Sequence, residues 1–168
     1  MHTDSKHDFL KHVDKSMSNK MQLSVQAIRN IYLTDDDEDD RIVFSEILFD
    51  ADSTAIFWQF SSGQELMDVL GKSCAAWPDV LFLNVNMPLK NGFDCLREIR
   101  SRGDNLKDIK VIMYSTSANP DTIRTARELG ADFYAVKPKN VTDLKKLLEK
   151  VLRMNSWEPA PDFVLNTF

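Results

Sequence analysis

Pro78-Asp79-Val80-Leu81-Phe82-Leu83-Asn84-Val85-Asn86-Met87-Pro88-Leu89-Lys90-Asn91-Gly92-Phe93 reads as a strand, a loop and the start of a helix. Val80–Val85 is apolar at every position but Asn84. A strand wetted on one face alternates, whereas one covered on both faces runs continuously apolar, so this run predicts a buried strand of a parallel sheet. Pro88 and Asn91-Gly92 interrupt the chain, and Phe93, Leu96 and Ile99 then recur at helical spacing over Phe93–Arg100.

The same grammar repeats on either side. Ile28–Thr34 is a short apolar run, followed by a helical pattern over Asp39–Phe49 with Val43, Phe44, Ile47 and Leu48 on one side. Ala55–Phe60 is aromatic and strand-like, and Gln64–Leu70 after Gly63 reads as a short helix. Val111–Tyr114 is another buried strand. The next helix is expected to be capped by Asn119, to start at Pro120 and to run to Leu129, stopping at Gly130. Phe133–Val136 is the fifth strand. Asn140–Met154 is the fifth helix, with Leu144, Leu147, Leu148, Val151 and Leu152 inward. Five strand–helix units in series imply an α/β fold, a doubly wound five-stranded parallel sheet with helices on both faces. In such a sheet ligands bind at the carboxyl ends of the strands.

Composition bounds the rest. The 168 residues are 43% hydrophobic and 28% charged, enough apolar material for one core without disulfide or metal staples. No apolar run approaches the length of a membrane span and the N-terminus lacks a signal-peptide pattern, so a cytoplasmic protein is expected. Residues 1–30 carry five basic and three acidic side chains, a net +2, which leaves −7 of the total −5 on the remainder. With no basic face on the main body, no nucleic-acid partner is expected.

Residues 1–27 read as an N-terminal extension without strand character, in which Phe9, Val13 and Met17 could stripe a short helix. All three histidines (His2, His7 and His12) lie there, at a spacing that does not align on one helical face. The body, residues 28–154, therefore has no histidine acid, base or phosphocarrier. Residues 155–168 read as a C-terminal tail outside the fold, too short for an output domain.

Chemistry gathers at the strand ends. The first strand runs into Asp35-Asp36-Asp37-Glu38-Asp39-Asp40. The later acids fall in a helix's first turn, where the dipole favours them. Asp35 and Asp36 fall at the strand end, and paired carboxylates there suit a hard cation such as Mg²⁺. Asn84 ends the third strand, Ser115 the fourth and Lys137 the fifth.

These residues closely resemble the response-regulator receiver domain of two-component signalling. The resemblance covers Ile28 to Met154. It rests on Asp35-Asp36, Met87-Pro88 followed by Asn91-Gly92, Ser115, Gly130-Ala131-Asp132 and Lys137-Pro138. It implies a flavodoxin-like (βα)5 fold with strand order 2-1-3-4-5 and a stand-alone, single-domain response regulator, not an enzyme, acting in phosphorelay signal transduction. It implies that Asp35, Asp36 and the backbone carbonyl of Asn86 hold Mg²⁺, and that Ser115 and Lys137 engage a phosphoryl group. Tyr134 would be the aromatic switch, with Ser115 its partner in switching. The implied partners are a sensor histidine kinase or phosphotransfer protein and a downstream protein. The latter would dock on the face made by the fourth helix, fifth strand and fifth helix, and neither a nucleic acid nor a membrane is implied.

One position departs from the family. The phosphoacceptor aspartate is replaced by Asn84, so the chain as it stands is expected not to be phosphorylated and to hold Mg²⁺ weakly. A carboxylate can attack phosphorus, and a neutral amide is a poor nucleophile. The alternative is a phosphorylation-independent pseudo-receiver, an interaction module. A Mg²⁺-dependent phosphatase would need acids at residues 84 and 86, both of which are Asn. A flavin carrier is excluded by the acidic run where a flavin phosphate would sit.

Overall fold

In a computed structural model of the chain, the described residues are 29–72, 77–103, 105–154 and 162–165. The expectations for residues 1–27, with the three histidines, and for most of the tail lie outside them. The elements follow in strict alternation: β1 (Asn30–Thr34), α1 (Glu38–Ala51), β2 (Ile56–Phe60), α2 (Gly63–Leu70), β3 (Val80–Asn84), α3 (Gly92–Ser101), a 3₁₀ turn (Asn105–Asp108), β4 (Lys110–Ser115), α4 (Pro120–Glu128), β5 (Phe133–Val136) and α5 (Val141–Leu152). The five strands form one sheet in the order β2-β1-β3-β4-β5, all pairs parallel. Fold class and strand order are as the sequence implies. The 3₁₀ turn was not foreseen.

The continuous apolar runs are explained by coverage on both faces. Every residue of β1 and β3 is buried. On one face Phe44 and Leu48 of α1 and Leu144, Leu147, Leu148, Val151 and Leu152 of α5 pack over Ile31, Leu33, Phe82 and Ile112. On the other, α2, α3 and α4 bring Leu66, Met67, Leu96, Ile99 and Ala126 onto Tyr32, Leu81, Leu83 and Met113. Each helix begins on an Asp, Ser or Asn side chain that accepts an N–H of its first turn: Asp37, Ser62, Asn91, Asn119 and Asn140. The predicted Asn119 cap is observed, and Gly130 at φ +86° ends the helix it starts.

Two expectations are corrected. Val43 was expected inward but is 39% exposed, because only the Phe44/Leu48 row of α1 meets the sheet, and Ile47 is half-buried. The C-terminal tail was expected outside the fold. Instead, the Tyr134 N–H donates to the Phe163 carbonyl at 3.0 Å, and the Leu165 N–H donates to the Tyr134 carbonyl at 2.8 Å. Residues 162–165 thus lie parallel along the free edge of β5. Phe163 is buried on the α4 side, under the Arg127 guanidinium at 4.7 Å, and Leu165 on the α5 side. Their apolar side chains and two backbone bonds explain why the tail joins the sheet.

Candidate phosphoryl-acceptor site

Register decides which side chains meet. Thr34 pairs with Leu83, Asn84 with Tyr114 and Ser115 with Val136. The residues that end or follow these strands, namely Asp35, Asn84, Ser115 and Lys137, therefore arrive on one rim. The sequence placed all four there.

Asp35 is fully buried. One carboxylate oxygen meets the Lys137 ammonium at 2.6 Å, and the other accepts the Asp37 N–H at 3.2 Å. Burial, the stronger influence, raises the pKa of this carboxyl above the ordinary carboxylate value, and Lys137 draws it partly back. For Lys137, burial pulls the pKa down, but its bonds to Asp35 and Asp40 outweigh that and raise it. Lys137 also meets Asp40 at 2.7 Å, and its Nζ sits 5.5 Å from the centre of the Tyr114 ring. Asp40 is the site residue that the sequence reading missed. It was read only as a first-turn acid of α1, although α1 begins four residues after the strand end and aims that turn at the rim. With Asp35, Asp36, Asp40 and Lys137 the pocket sums to a formal −2, one charge more negative than Asp35, Asp36 and Lys137 alone would give.

Asn84 lies at the centre. Its amide nitrogen donates to Asp36 Oδ1 at 2.9 Å, to the Asn86 carbonyl at 3.0 Å and to Asp35 Oδ1 at 3.2 Å. These three oxygens are the ones that the resemblance assigns to a metal. As a set, two carboxylates and a carbonyl fit a hard divalent cation. The Asn84 N–H₂ occupies the point on which they converge and answers part of their negative charge with partial positive charge. Among the described residues, no three His, Cys, Asp or Glu side chains gather as a metal-binding group. Gly92 allows the loop to close here: a Cβ on it would lie 2.1 Å from the Asn84 carbonyl oxygen.

Ser115 is fully buried, and its Oγ accepts the Ser117 N–H at 3.2 Å. Tyr134 is fully buried too, and its hydroxyl donates to the Ser117 carbonyl at 2.7 Å. Thus Ser115 and Tyr134 grip the same short loop after β4, and Lys137 is tied to that strand by its own N–H to the Ser115 carbonyl at 2.7 Å. Leu89, in the loop after β3, is fully exposed at φ +66°. That left-handed conformation is costly for a residue with a side chain.

Known proteins share this sequence pattern and this fold. The response regulator receiver domain matches residues 31–149. Response regulator Rcp1 of Synechocystis sp. is 35% identical over 74 residues, covering 44% of this chain and 50% of that protein. Two-component response regulator ORR3 of Oryza sativa is 28% identical over 123 residues, covering 73% of this chain and 90% of that protein. Among solved structures, the phosphorylated cyanobacterial phytochrome response regulator RcpA superposes with a TM-score of 0.69 at 29% identity, over 74% of this chain and 91% of that one. The Mn²⁺-bound form of Rcp1 gives 0.66 at 27%, over 73% and 91%. The chain belongs to the response-regulator receiver domain family of two-component signalling. No helix among the described residues is long and apolar enough to cross a membrane.

Proposed function

We propose that this chain acts as a response-regulator receiver that works through protein–protein contact and, with Asn84 at its acceptor position, takes no phosphoryl group there. The observation that carries this reading is the Asn84 amide, whose nitrogen points into the acidic pocket and donates to Asp35, Asp36 and the Asn86 carbonyl. An aspartyl phosphate needs a carboxylate oxygen to attack phosphorus. Residue 84 has only an amide oxygen, and its nitrogen is engaged by three acceptors. The same observation favours a phosphorylation-independent interaction module over a switch driven by phosphate.

In this reading Asp35, Asp36 and the Asn86 carbonyl would hold Mg²⁺, more weakly than a pocket with a carboxylate at residue 84. The bound cation would supply neutralising charge. Lys137 holds Asp35 and Asp40 in place, and Ser115 with Tyr134 sets the loop after β4. The chain is not an enzyme and acts in the cytoplasm. Its partners are a sensor histidine kinase or phosphotransfer protein and a downstream protein at the α4–β5–α5 face, where residues 162–165 already occupy the β5 edge. Incubation with Mg²⁺ and acetyl phosphate followed by intact mass tests the reading. The chain should stay unmodified, and Asn84→Asp should gain one phosphoryl group at residue 84. A phosphoryl group mapped to residue 84 of the unaltered chain would overturn it.

A further inference from the structure

The tail holds the β5 edge by few contacts. Residues 162–165 make a single bridge to it, Val164 with Tyr134, and two backbone hydrogen bonds. On its other side β5 pairs with β4 at four positions, Phe133 to Val136. A segment held by one bridge and a few side chains lies at the low-stability end of a fold, where local opening is easiest. What it covers is nonetheless a shaped site. Phe163 and Leu165 straddle the edge, Phe163 buried in the core on the α4 side and Leu165 in the core on the α5 side. Between them the Tyr134 N–H and carbonyl offer one donor and one acceptor to an extended chain laid parallel to β5.

The Arg127 guanidinium of α4 lies over the Phe163 ring. Arg127 is exposed and makes no ion pair or hydrogen bond among the described residues, so its donors are unspent. A carboxylate beside the aromatic residue of a docked segment would answer them. The tail itself reads Asp162-Phe163-Val164-Leu165: an acid, an aromatic and, two residues on, an aliphatic. Occupancy of the edge also reaches the acidic rim. Tyr134 holds the occupant with its backbone and the Ser117 carbonyl with its hydroxyl, at 2.7 Å.

We propose that the β5 edge is a docking site for an extended partner segment with an acid, an aromatic residue next to it and an aliphatic two positions on, and that residues 162–165 are its displaceable internal occupant. This rests on the reading that the chain works through protein contact, and it names the segment that such contact takes. Tethering gives the tail an effective concentration of order millimolar, so a free competitor binds well only when the tail is out.

The probe is a synthetic peptide of residues 160–167, and the readout is exchange of single amides on the full chain. The Tyr134 N–H should be protected in the unaltered chain. Ala135 is the internal reference, because the Lys137 N–H donates to the Ser115 carbonyl and the two-residue period turns the Ala135 amide to β4 as well. In Phe163→Asp/Leu165→Asp, Tyr134 should exchange at least ~10-fold faster while Ala135 does not change. If Ala135 protection is lost, and the fold with it, Phe163→Ala/Leu165→Ala takes that variant's place. Peptide added to the variant should restore Tyr134 protection, and labelled peptide should bind the unaltered chain at least ~10-fold more weakly. Arg127→Ala in the variant should weaken the peptide ~2- to 5-fold. Free exchange of Tyr134 in the unaltered chain overturns the proposal. So does a peptide that leaves Tyr134 unprotected in the variant, or one that binds the variant and the unaltered chain equally. Unchanged binding in Arg127→Ala overturns the recognition assigned to the guanidinium. Intact mass after acetyl phosphate reads residue 84 and the peptide reads the β5 edge, so the two readings fail separately.

Discussion

The two ends of the sheet carry ion clusters built from the same residue types and put to opposite use. At the amino end, Asp132 accepts from Arg100 at 2.8 Å, Lys110 at 3.2 Å and the Val111 N–H at 2.9 Å. Arg100 spends its other donors on the carbonyls of Lys107, Ile109 and Gly130. One carboxylate faces two cations, and the surplus positive charge is held by backbone carbonyls. At the carboxyl end, Asp35, Asp36 and Asp40 share one ammonium, Lys137, and one amide, Asn84. The first cluster locks α3 to the starts of β4 and β5. The second leaves a surplus of negative charge that a ligand or a hydrogen-bond donor must answer. The backbone follows the same division. The left-handed residue at the amino end is Gly130, which adopts φ +86° at little cost, whereas at the carboxyl end it is Leu89.

If the amino-end cluster is structural, removing its hub should give the largest effect. Asp132→Ala should destabilise the fold by about 3 kcal/mol, since two cations and the Val111 N–H lose their shared partner. Urea unfolding measures it, and a loss under about 1 kcal/mol would erase the distinction between the two ends. Leu89→Gly should gain about 1 kcal/mol by relieving the left-handed conformation, less the entropy that glycine adds to the unfolded chain. A loss of stability would show that the Leu89 side chain holds the loop. Asp36→Ala should change stability by less than about 1 kcal/mol, because removing one charge from a surplus offsets the hydrogen bond lost to Asn84. A cost equal to that of Asp132→Ala would mean that the acidic rim is a structural lock as well.

The fold was legible because coverage on both faces leaves a plain mark: β1 and β3 read as continuous apolar runs, and the helices between them are punctuated by Asn, Pro and Gly. The rim residues were legible because parallel strands bring their carboxyl ends together whatever lies between. Asp40 was not, since a first-turn acid satisfies the helix dipole equally well when it points at solvent. The docking of Phe163 and Leu165 was hidden for another reason. Four residues carry too little periodicity to reveal a strand, and only the free edge of β5 gives them something to pair with. Val43 failed for the converse reason: an apolar residue beside an inward row satisfies a helical pattern without touching the core.

The central claim is that the Asn84 amide stands in for charge in the pocket, holding Asp35, Asp36 and the Asn86 carbonyl without a cation. Urea unfolding of the chain and of Asn84→Asp, each in EDTA and in millimolar Mg²⁺, tests it most directly. In EDTA the variant should be less stable by about 2 kcal/mol, because a fourth carboxylate replaces a donor among like charges. Mg²⁺ should stabilise the variant by mass action and shrink the gap, while leaving the Asn84 protein nearly unmoved. Equal shifts with Mg²⁺ in the two proteins, or no gap in EDTA, would contradict the account.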